Sequence, residues 1–304
     1  MFSNKMIAGI LIPVVLEQLL NSIMGTADTM MVSNIGSAAI SAVSLVDSIN
    51  ILVIQAFSAL AAGGAIVCSQ YIGQQNKKMA NESARQVLFI ITAISIAVSV
   101  LCLGFKKPLL RLIFGSVEAD VMRASETYFF YTAISFPFIA AYDSAASIFR
   151  AQENTKGPML ISMISNAMNI VGNAIMIWIF HMGVAGVAYA TIISQILSAV
   201  MVIVYMMKSK DCVRFVPKNM RIYGDKLKKM LYIGLPAGFQ GTVFSLSNVV
   251  IQSAVNSFGS LVMAGNGAAS SLEGFTYTAM NSVYQASLTF VGQNVGAKKY
   301  DRIN

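Results

Sequence analysis

The sequence contains few charged residues. Asp, Glu, Lys and Arg make up 11% of its 304 residues, whereas hydrophobic residues make up 56%, and the mean hydropathy is +0.67. Soluble proteins carry about 25% charged residues, and so apolar a chain has too few polar side chains to cover a surface in water. The composition therefore excludes a disordered chain, argues against a soluble enzyme and predicts a membrane protein with many helices.

Cysteine and histidine are also scarce. Cys68, Cys102 and Cys212 form no Cys-x-x-Cys pair, and the single histidine is His181. These residues cannot build a tetrahedral zinc site, a disulfide framework or a Ser-His-Asp triad. The sequence also lacks the Gly-x-x-x-x-Gly-Lys-Ser/Thr phosphate loop of ATPases. We therefore expect no enzymatic activity, no cofactor and no structural metal.

Eight stretches are long and apolar enough to cross a bilayer, which takes about 20 residues per helix. They cover residues 7–33, 42–72, 86–105, 125–149, 158–180, 184–207, 229–256 and 263–294. If the N-terminus is cytoplasmic, 17 of the 21 Lys and Arg residues fall in cytoplasmic segments, and only Lys106, Lys107, Arg111 and Arg123 fall outside. This bias is typical of membrane topology, so the net charge of +8 does not indicate a nucleic-acid partner.

A shift of 223 residues aligns the start of the chain with its end. Pro13 then aligns with Pro236, and residues 70–73 with residues 293–296, without a gap. Only 12 of the 78 aligned positions are identical, but prolines, loop glycines and span edges coincide. Because six spans separate the two copies, the copies should point the same way, as parallel repeats do in some transporters.

The repeat predicts an all-α polytopic membrane protein. Residues 1–207 would form an N-terminal six-helix lobe, residues 208–228 a basic cytoplasmic inter-lobe loop, and residues 229–304 the first two helices of a second, parallel-repeat lobe. A complete second copy would extend to about residue 449 and give twelve helices. We therefore expect this chain to be a fragment.

Carboxylates within the predicted spans are functional candidates, because a charge inside the bilayer is costly. Asp28 is the strongest candidate, since it lies deep and its repeat counterpart is Ile251. A purely architectural carboxylate would more often have a polar counterpart. The spans hold five carboxylates: Glu17, Asp28, Asp47, Asp143 and Glu273.

Three of these carboxylates have simpler interpretations. Glu17 and Asp47 lie nearer the ends of their spans, where they could be solvated or cap a helix. Asp143 precedes Arg150 by two helical turns and could pair with it.

Polar residues recur at helical spacing on several spans, which places them on shared faces. The stripes are Glu17, Asn21 and Asp28 in the first span, Ser162, Asn166, Asn169 and Asn173 in the fifth, and Asn266, Ser270, Glu273, Tyr277, Asn281 and Tyr284 in the eighth. They predict either a shared polar cavity or interhelical hydrogen bonds without a transport role. The candidate cavity or substrate residues are Asn21, Asn166, Asn266, Glu273, Tyr277 and Asn281.

Six segments together resemble the multidrug and toxic compound extrusion (MATE) family. They are ADTMMV (27–32), IGSAAISA (35–42), SQYIG (69–73), FRAQENTKGPM (149–159), GVAGVAYAT (183–191) and GQNVGA (292–297). The resemblance covers the whole chain in order. It implies two six-helix lobes around a cavity that opens alternately to each side. It also implies export of cationic, amphiphilic compounds driven by inward flow of H⁺ or Na⁺.

The resemblance also implies a cation-coupling site. Asp28 matches the family's coupling Asp of the first helix, and Thr191 matches the Thr of the sixth. In the fifth helix the family often carries Asn followed four residues later by Asp; Asn169 matches the first position, but the second is Asn173. This departure removes one carboxylate, argues against a two-carboxylate Na⁺ site and leaves more of the coupling to Asp28.

We therefore expect a monomeric antiporter of the plasma membrane, coupled to H⁺ or Na⁺. A lipid-linked oligosaccharide flippase of the same broad superfamily is an alternative, but it should line its cavity with several Arg or Lys residues that bind pyrophosphate. This chain has no basic residue deep inside a predicted span. A non-transporting membrane assembly is the other alternative, and ligand-dependent flux in vesicles would distinguish it from a transporter.

Overall fold

The computed structural model describes residues 4–114, 118–209, 223–256 and 260–302. These residues form nine α-helices and no strand, which confirms the all-α prediction. The helices are α1 (Asn4–Ser33), α2 (Ser37–Gly73), α3 (Lys77–Gly104), α4 (Lys106–Phe114), α5 (Ala119–Ala151), α6 (Lys156–Ala174), α7 (Gly183–Lys208), α8 (Gly224–Asn256) and α9 (Ser260–Gly296). A π-helical turn, Ile175–Ile179, continues α6, and a 3₁₀ turn, Tyr300–Arg302, follows α9.

Eight of the described helices coincide with the predicted spans, and α4 is an additional short helix that the sequence analysis did not predict. By length and composition, five described stretches can cross a membrane: Met6–Val32, Ala39–Gly73, Lys77–Gly104, Lys156–Ile179 and Gly183–Lys208. The remaining long helices, α5, α8 and α9, contain at least 33 residues each and are not among these five stretches. Pro13, Pro137 and Pro236 lie inside α1, α5 and α8, as predicted.

Helices that follow one another along the chain, such as α2 and α3 or α6 and α7, run in opposite directions, and contacts bring one set of helix ends together. Gln293, in the last turn of α9, donates a hydrogen bond to the carbonyl of Ala151 at the end of α5 (3.0 Å). Thr155, just before α6, donates to the carbonyl of Gly9 near the start of α1 (3.4 Å). We call this end of the bundle the basic end, because these residues lie there: Lys77, Lys78, Arg85, Arg150, Lys156, Lys226, Lys228, Lys229, Lys298, Lys299 and Arg302.

The start of α8 is attached to the start of α3 at the basic end. Lys226 forms a salt bridge with Glu82. The side chain of Gln86 donates to the carbonyl of Tyr223 (2.8 Å) and accepts from its backbone amide (3.2 Å). These contacts fix the second copy of the repeat against the first six spans.

Helices α2 and α5 form the centre of the bundle. α2 packs against α3, α5, α8 and α9, whereas α1 packs against α6 and α9. The rings of Phe57 and Phe136 meet edge to face with centroids 6.2 Å apart. Cys68 and Cys102 are buried, and neither forms a disulfide within the described residues. The largest side chains buried here include Phe57, Ile91, Phe129, Phe136, Ile148 and Phe149.

The 223-residue repeat is visible in the backbone. α2 and α9 contain 37 residues each and occupy equivalent positions in the two copies. The same turn follows both helices, with φ of 58° at Gln75 and 57° at Lys298 and with equivalent amide hydrogen bonds. The boundaries of the two lobes remain a prediction, and residues 210–222 of the inter-lobe segment, including Cys212, lie outside the described residues.

The repeat-related helices α2 and α9 meet at their last turns. A Cβ atom on Gly73 would lie 2.0 Å from the carbonyl oxygen of Gln293, and one on Gly296 would lie 2.0 Å from the carbonyl oxygen of Gln70. Gln70 and Gly73 are the counterparts of Gln293 and Gly296, so the two contacts are equivalent. Glycine at both positions therefore allows direct backbone contact at the basic end.

Candidate functional site

The polar faces of α1, α6 and α7 meet in the half of the bundle opposite the basic end. Asp28 of α1 accepts a hydrogen bond from Nδ2 of Asn173 at 2.5 Å. The same nitrogen donates to Oδ1 of Asn169 at 3.2 Å, and Nδ2 of Asn169 donates to the hydroxyl of Thr191 in α7 at 3.3 Å. The structure therefore brings the four predicted coupling residues into one hydrogen-bonded chain across three helices.

Helical spacing explains how α6 supplies two members of this chain. Asn169 and Asn173 are four residues apart, so their side chains lie one above the other on the same face. Both are completely buried, and buried amides are costly unless they are hydrogen-bonded. The hydroxyl of Thr191 also donates to the carbonyl of Val187 at 3.0 Å, which orients its oxygen toward Asn169 as an acceptor.

One acceptor atom in this series of hydrogen bonds has no donor. Among the described residues, Oδ1 of the buried Asn173 has no hydrogen-bond partner. An unpaired buried polar atom costs about 1–3 kcal/mol. A proton on Asp28 or a small cation beside it would satisfy this oxygen, and carboxylate, amide and hydroxyl oxygens are ligands that hard cations prefer. The residues present therefore fit a proton or a small monovalent cation.

Two of the predicted cavity residues belong to an adjacent polar contact between α1 and α6. Oδ1 of Asn21 accepts hydrogen bonds from Ser162 and from Asn166, each at 2.9 Å. Asn21 itself is exposed, whereas Ser162 and Asn166 are buried. These residues therefore connect two helices, and a substrate contact by Asn21 or Asn166 remains a prediction.

The other predicted cavity residues lie along α9. Glu273 and Tyr277 are exposed, Tyr277 by 52% of its surface. Asn266 and Asn281 are partly buried, and the side chain of Ser270 lies outside the described part of the chain. Contact of these side chains with a substrate also remains a prediction.

The structure corrects two interpretations of carboxylates near the basic end. Glu17 is not solvated; it is buried and accepts hydrogen bonds from Arg150 at 3.2 Å and from the hydroxyl of Tyr142 at 2.9 Å. The salt bridge of Arg150 is therefore with Glu17 and not with Asp143, which accepts from the hydroxyl of Ser58 at 2.8 Å. Spacing along α5 could not reveal a partner on α1, because tertiary packing decides which faces meet.

Asp47 of α2 also differs from the expected solvated or capping residue. Its Oδ1 accepts hydrogen bonds from the hydroxyl of Tyr128 in α5 (3.3 Å) and from Nδ2 of Asn50 (3.2 Å). Tyr128 and Asn50 are both buried. The sequence analysis missed both partners; the only available signal was the three-residue spacing of Asp47 and Asn50, which places them on one helix face.

Clusters of metal ligands offer no further site in the described residues, where no group of three or more His, Cys, Asp or Glu side chains could hold a metal ion. The functional candidates are therefore the polar chain around Asp28 and the separate hydrogen-bonded group of Asp47, Asn50 and Tyr128.

A sequence profile of the MatE family matches residues 13–175 and 236–304. The chain belongs to the MatE family. The "Uncharacterized transporter YisQ" of Bacillus subtilis (strain 168) is 27% identical to this MatE chain over 294 residues, which cover 95% of this chain and 64% of YisQ. The "Probable multidrug resistance protein YoeA" of the same organism is 26% identical over 301 residues, which cover 96% of this chain and 65% of YoeA. The MatE chain thus spans less than two thirds of the length of these relatives.

Solved structures share the fold of the MatE chain. A MOP superfamily transporter from Pyrococcus furiosus superimposes with a TM-score of 0.92 at 20% identity, over 98% of this chain and 66% of that one. An outward-facing multidrug resistance MATE family transporter of the MOP superfamily superimposes with a TM-score of 0.91 at 19% identity, again over 98% and 66%. The predicted polytopic helical membrane fold is confirmed, and the relatives are named as transporters rather than enzymes.

Proposed function

We propose that this MatE chain carries the ion-coupling site of a secondary active antiporter that exports cationic, amphiphilic drugs or metabolites. The observation that supports this most is the hydrogen-bonded chain from Asp28 through Asn173 and Asn169 to Thr191. Ionisable residues inside a membrane are costly and mark ion or proton pathways. Among the described residues, Asp28 accepts its hydrogen bond from the neutral amide of Asn173 and belongs to neither salt bridge, which leaves its charge available for a proton or Na⁺.

The coupling step is the neutralisation of Asp28. In its charged form, Asp28 accepts the hydrogen bond from Asn173; after loading, a proton or Na⁺ also interacts with the unpaired Oδ1 of Asn173. Loading therefore changes the contact between α1 and α6. A bound ion shifts a conformational equilibrium only through its different affinity for the two states, and this contact supplies such a difference.

Contacts at the basic end close one side of the proposed transport pathway, as alternating access requires. The equivalent contacts of Gly73 and Gly296 hold the last turns of α2 and α9 together. Because these helices belong to different copies of the repeat, their contact closes one end of the space between the proposed lobes, and separating them would open it. We propose that this end is cytoplasmic, in keeping with its Lys and Arg residues.

The proposed substrate surface lies on the exposed part of α9. Glu273 offers a negative charge, and exposed aromatic and Met side chains such as Tyr277 and Met280 offer cation–π and adaptable apolar contacts. Asn21, Asn166, Asn266 and Asn281 would supply hydrogen bonds. We propose that the protein works as a monomer in the plasma membrane.

An antiporter is favoured over a lipid-linked oligosaccharide flippase by the position and pairing of Arg150. Arg150 lies at the basic end of α5, and its charge is paired with Glu17. It is therefore not available to bind a pyrophosphate group, which needs unpaired basic side chains.

The test is gradient-driven efflux by Asp28→Asn. The protein expressed from the full-length gene is reconstituted in proteoliposomes, and efflux of a fluorescent lipophilic cation is measured under an imposed H⁺ or Na⁺ gradient. Because coupling free energies are about 1–3 kcal/mol, we expect Asp28→Asn to lower the gradient-driven rate by about 5- to 150-fold. Asp120→Asn, at the exposed start of α5, is the matched control and should behave as the wild type. Unchanged gradient-driven efflux by Asp28→Asn would reject the proposal.

A further inference from the structure

A short basic helix lies at the end of the bundle opposite the basic end. α4 contains Lys106, Lys107 and Arg111 and no acidic residue. These are three of the four Lys and Arg residues that the predicted topology places outside the cytoplasm, the fourth being Arg123. Membrane proteins concentrate Lys and Arg in cytoplasmic segments, so three exceptions within one helix of nine residues indicate a local role for their charge.

The position of α4 along the chain places it at the level of the lipid headgroups. α3 is one of the stretches that can cross a membrane; it ends at Gly104, and α4 begins at Lys106. At 1.5 Å per residue, the 28 residues of α3 rise about 42 Å. A bilayer with its headgroups is about 40–45 Å thick. Because α3 begins at the basic end, α4 follows it at the opposite surface of the bilayer.

The exposed side of α4 combines basic and apolar residues. Leu110 is fully buried in the core, and α4 packs against α3 and α5. Lys107 and Arg111 are exposed and four residues apart, so their side chains lie on the same face. Leu112 is 86% exposed, and Phe105, directly before α4, is 59% exposed. Basic residues beside exposed Leu and Phe are typical of helices that lie in a membrane interface.

The charges of Lys107 and Arg111 are not neutralised by a described acidic side chain. Neither described salt bridge includes a residue of α4 or the exposed Asp120 at the start of α5. Lys106 differs from the other two, because its Nζ lies over the ring of Phe130, 5.0 Å from the centroid. Two cations one helical turn apart suit a single phosphate group, to which Lys and Arg donate charge-assisted hydrogen bonds.

We propose that α4 is an interfacial helix that binds the headgroup of an anionic phospholipid in the leaflet opposite the basic end. Lys107 and Arg111 bind the phosphate, and Phe105 and Leu112 insert beside the acyl chains. The described helices of the second copy, α8 and α9, pack mainly against α1 and α2, which leaves this face of α4 to lipid. The inference does not depend on the proposed antiport, and it gives a role to the helix that the sequence analysis did not predict.

Lipid contact at α4 is tested with a tryptophan in place of Leu112. The protein expressed from the full-length gene carries Leu112→Trp, and Trp178, the single tryptophan of this sequence, and any further tryptophan are replaced by phenylalanine. In phosphatidylcholine nanodiscs, brominated phosphatidylglycerol should quench the fluorescence more than brominated phosphatidylcholine does. High salt should reduce the difference, because it screens the attraction between charges.

Two results of this quenching experiment would overturn the proposal. Quenching by aqueous iodide but by neither brominated lipid would place α4 in water. Equal quenching by the two brominated lipids at low salt would show that α4 contacts the bilayer without selecting an anionic headgroup.

Charge variants in the same background identify the binding residues. One basic residue near an anionic membrane changes the attraction by about fivefold, so Lys107→Gln and Arg111→Gln should each lower the preference for phosphatidylglycerol by about that factor. Lys107→Arg keeps the charge and should keep the preference. Arg123→Gln is the matched control, since Arg123 is exposed at the same end of the bundle but belongs to α5, and it should behave as the parent protein does.

The pattern across these variants decides whether α4 forms a lipid site. An undiminished preference in the double variant Lys107→Gln with Arg111→Gln would overturn the proposal. Equal losses in Arg111→Gln and Arg123→Gln would also overturn it, because the lipid would then respond to the net charge of the whole surface. All substituted side chains are exposed, and size-exclusion profiles in detergent check that each variant folds.

Discussion

The contact of Arg150 with Glu17 shows how a single buried pair connects two helices. Arg150 belongs to α5 and Glu17 to α1, and the side chain of Glu17 is 2% exposed. The hydroxyl of Tyr142 donates to Glu17 and also to the carbonyl of Pro158 at 3.1 Å. Tyr142 therefore connects the ion pair to the start of α6 as well. Removal of one charge would leave the other buried without compensation.

We predict that Arg150→Met destabilises the protein more than loss of a surface arginine does. Breaking a buried ion pair costs about 3–5 kcal/mol, whereas replacing both partners by apolar residues is often nearly neutral. The double variant Glu17→Met with Arg150→Met should therefore be more stable than either single variant. Unfolding in detergent measures the difference, and Arg123→Met, at an exposed position of the same helix, is the control. Equal effects of Arg150→Met and Arg123→Met would contradict the prediction.

At the scale of elements, the contact between α2 and α9 depends on two glycines. Added methyl groups in a closely packed contact cost about 1–3 kcal/mol, and a Cβ atom on Gly73 or Gly296 would overlap a backbone oxygen. We predict that Gly73→Ala and Gly296→Ala each separate the last turns of the two helices. The effects should be similar, because the two contacts are equivalent.

Spin labels at the exposed Gln74 and Lys298 measure this separation by electron–electron distance spectroscopy. Gly73→Ala and Gly296→Ala should shift the distance distribution to longer values. Gly104→Ala is the matched control, since a Cβ atom there would meet no atom within 4 Å. An unchanged distribution in both test variants would show that the close contact is not required for closure.

For the whole molecule, the distribution of basic residues predicts the orientation in the membrane. Lys78 at the start of α3 and Lys107 in α4 are both exposed and lie on either side of one predicted span. In a variant without native cysteines, Lys107→Cys should react with a membrane-impermeant maleimide in intact cells. Lys78→Cys should react only after the membrane is permeabilised. The reverse pattern would place the basic end outside and refute the proposed orientation.

The sequence by itself determined the helices and their polar faces. Hydrophobic length and helical periodicity are local properties, so the eight long helices, the stripe that contains Asn169 and Asn173, and the repeat that relates α2 to α9 could all be predicted from it. The backbone repeats so closely that Gln75 and Lys298 adopt the same positive φ despite different side chains. The family resemblance added Thr191 to the predicted site.

The tertiary structure alone decided which polar groups meet. It assigned Arg150 to Glu17 instead of Asp143, placed Tyr128 against Asp47 and brought Gly73 to the backbone of Gln293. None of these pairs is local in sequence, and the rotation of each helix about its axis is set by packing against several neighbours at once. A polar stripe therefore shows which face of a helix needs hydrogen-bond partners, whereas the packing of the whole bundle determines which residues are those partners.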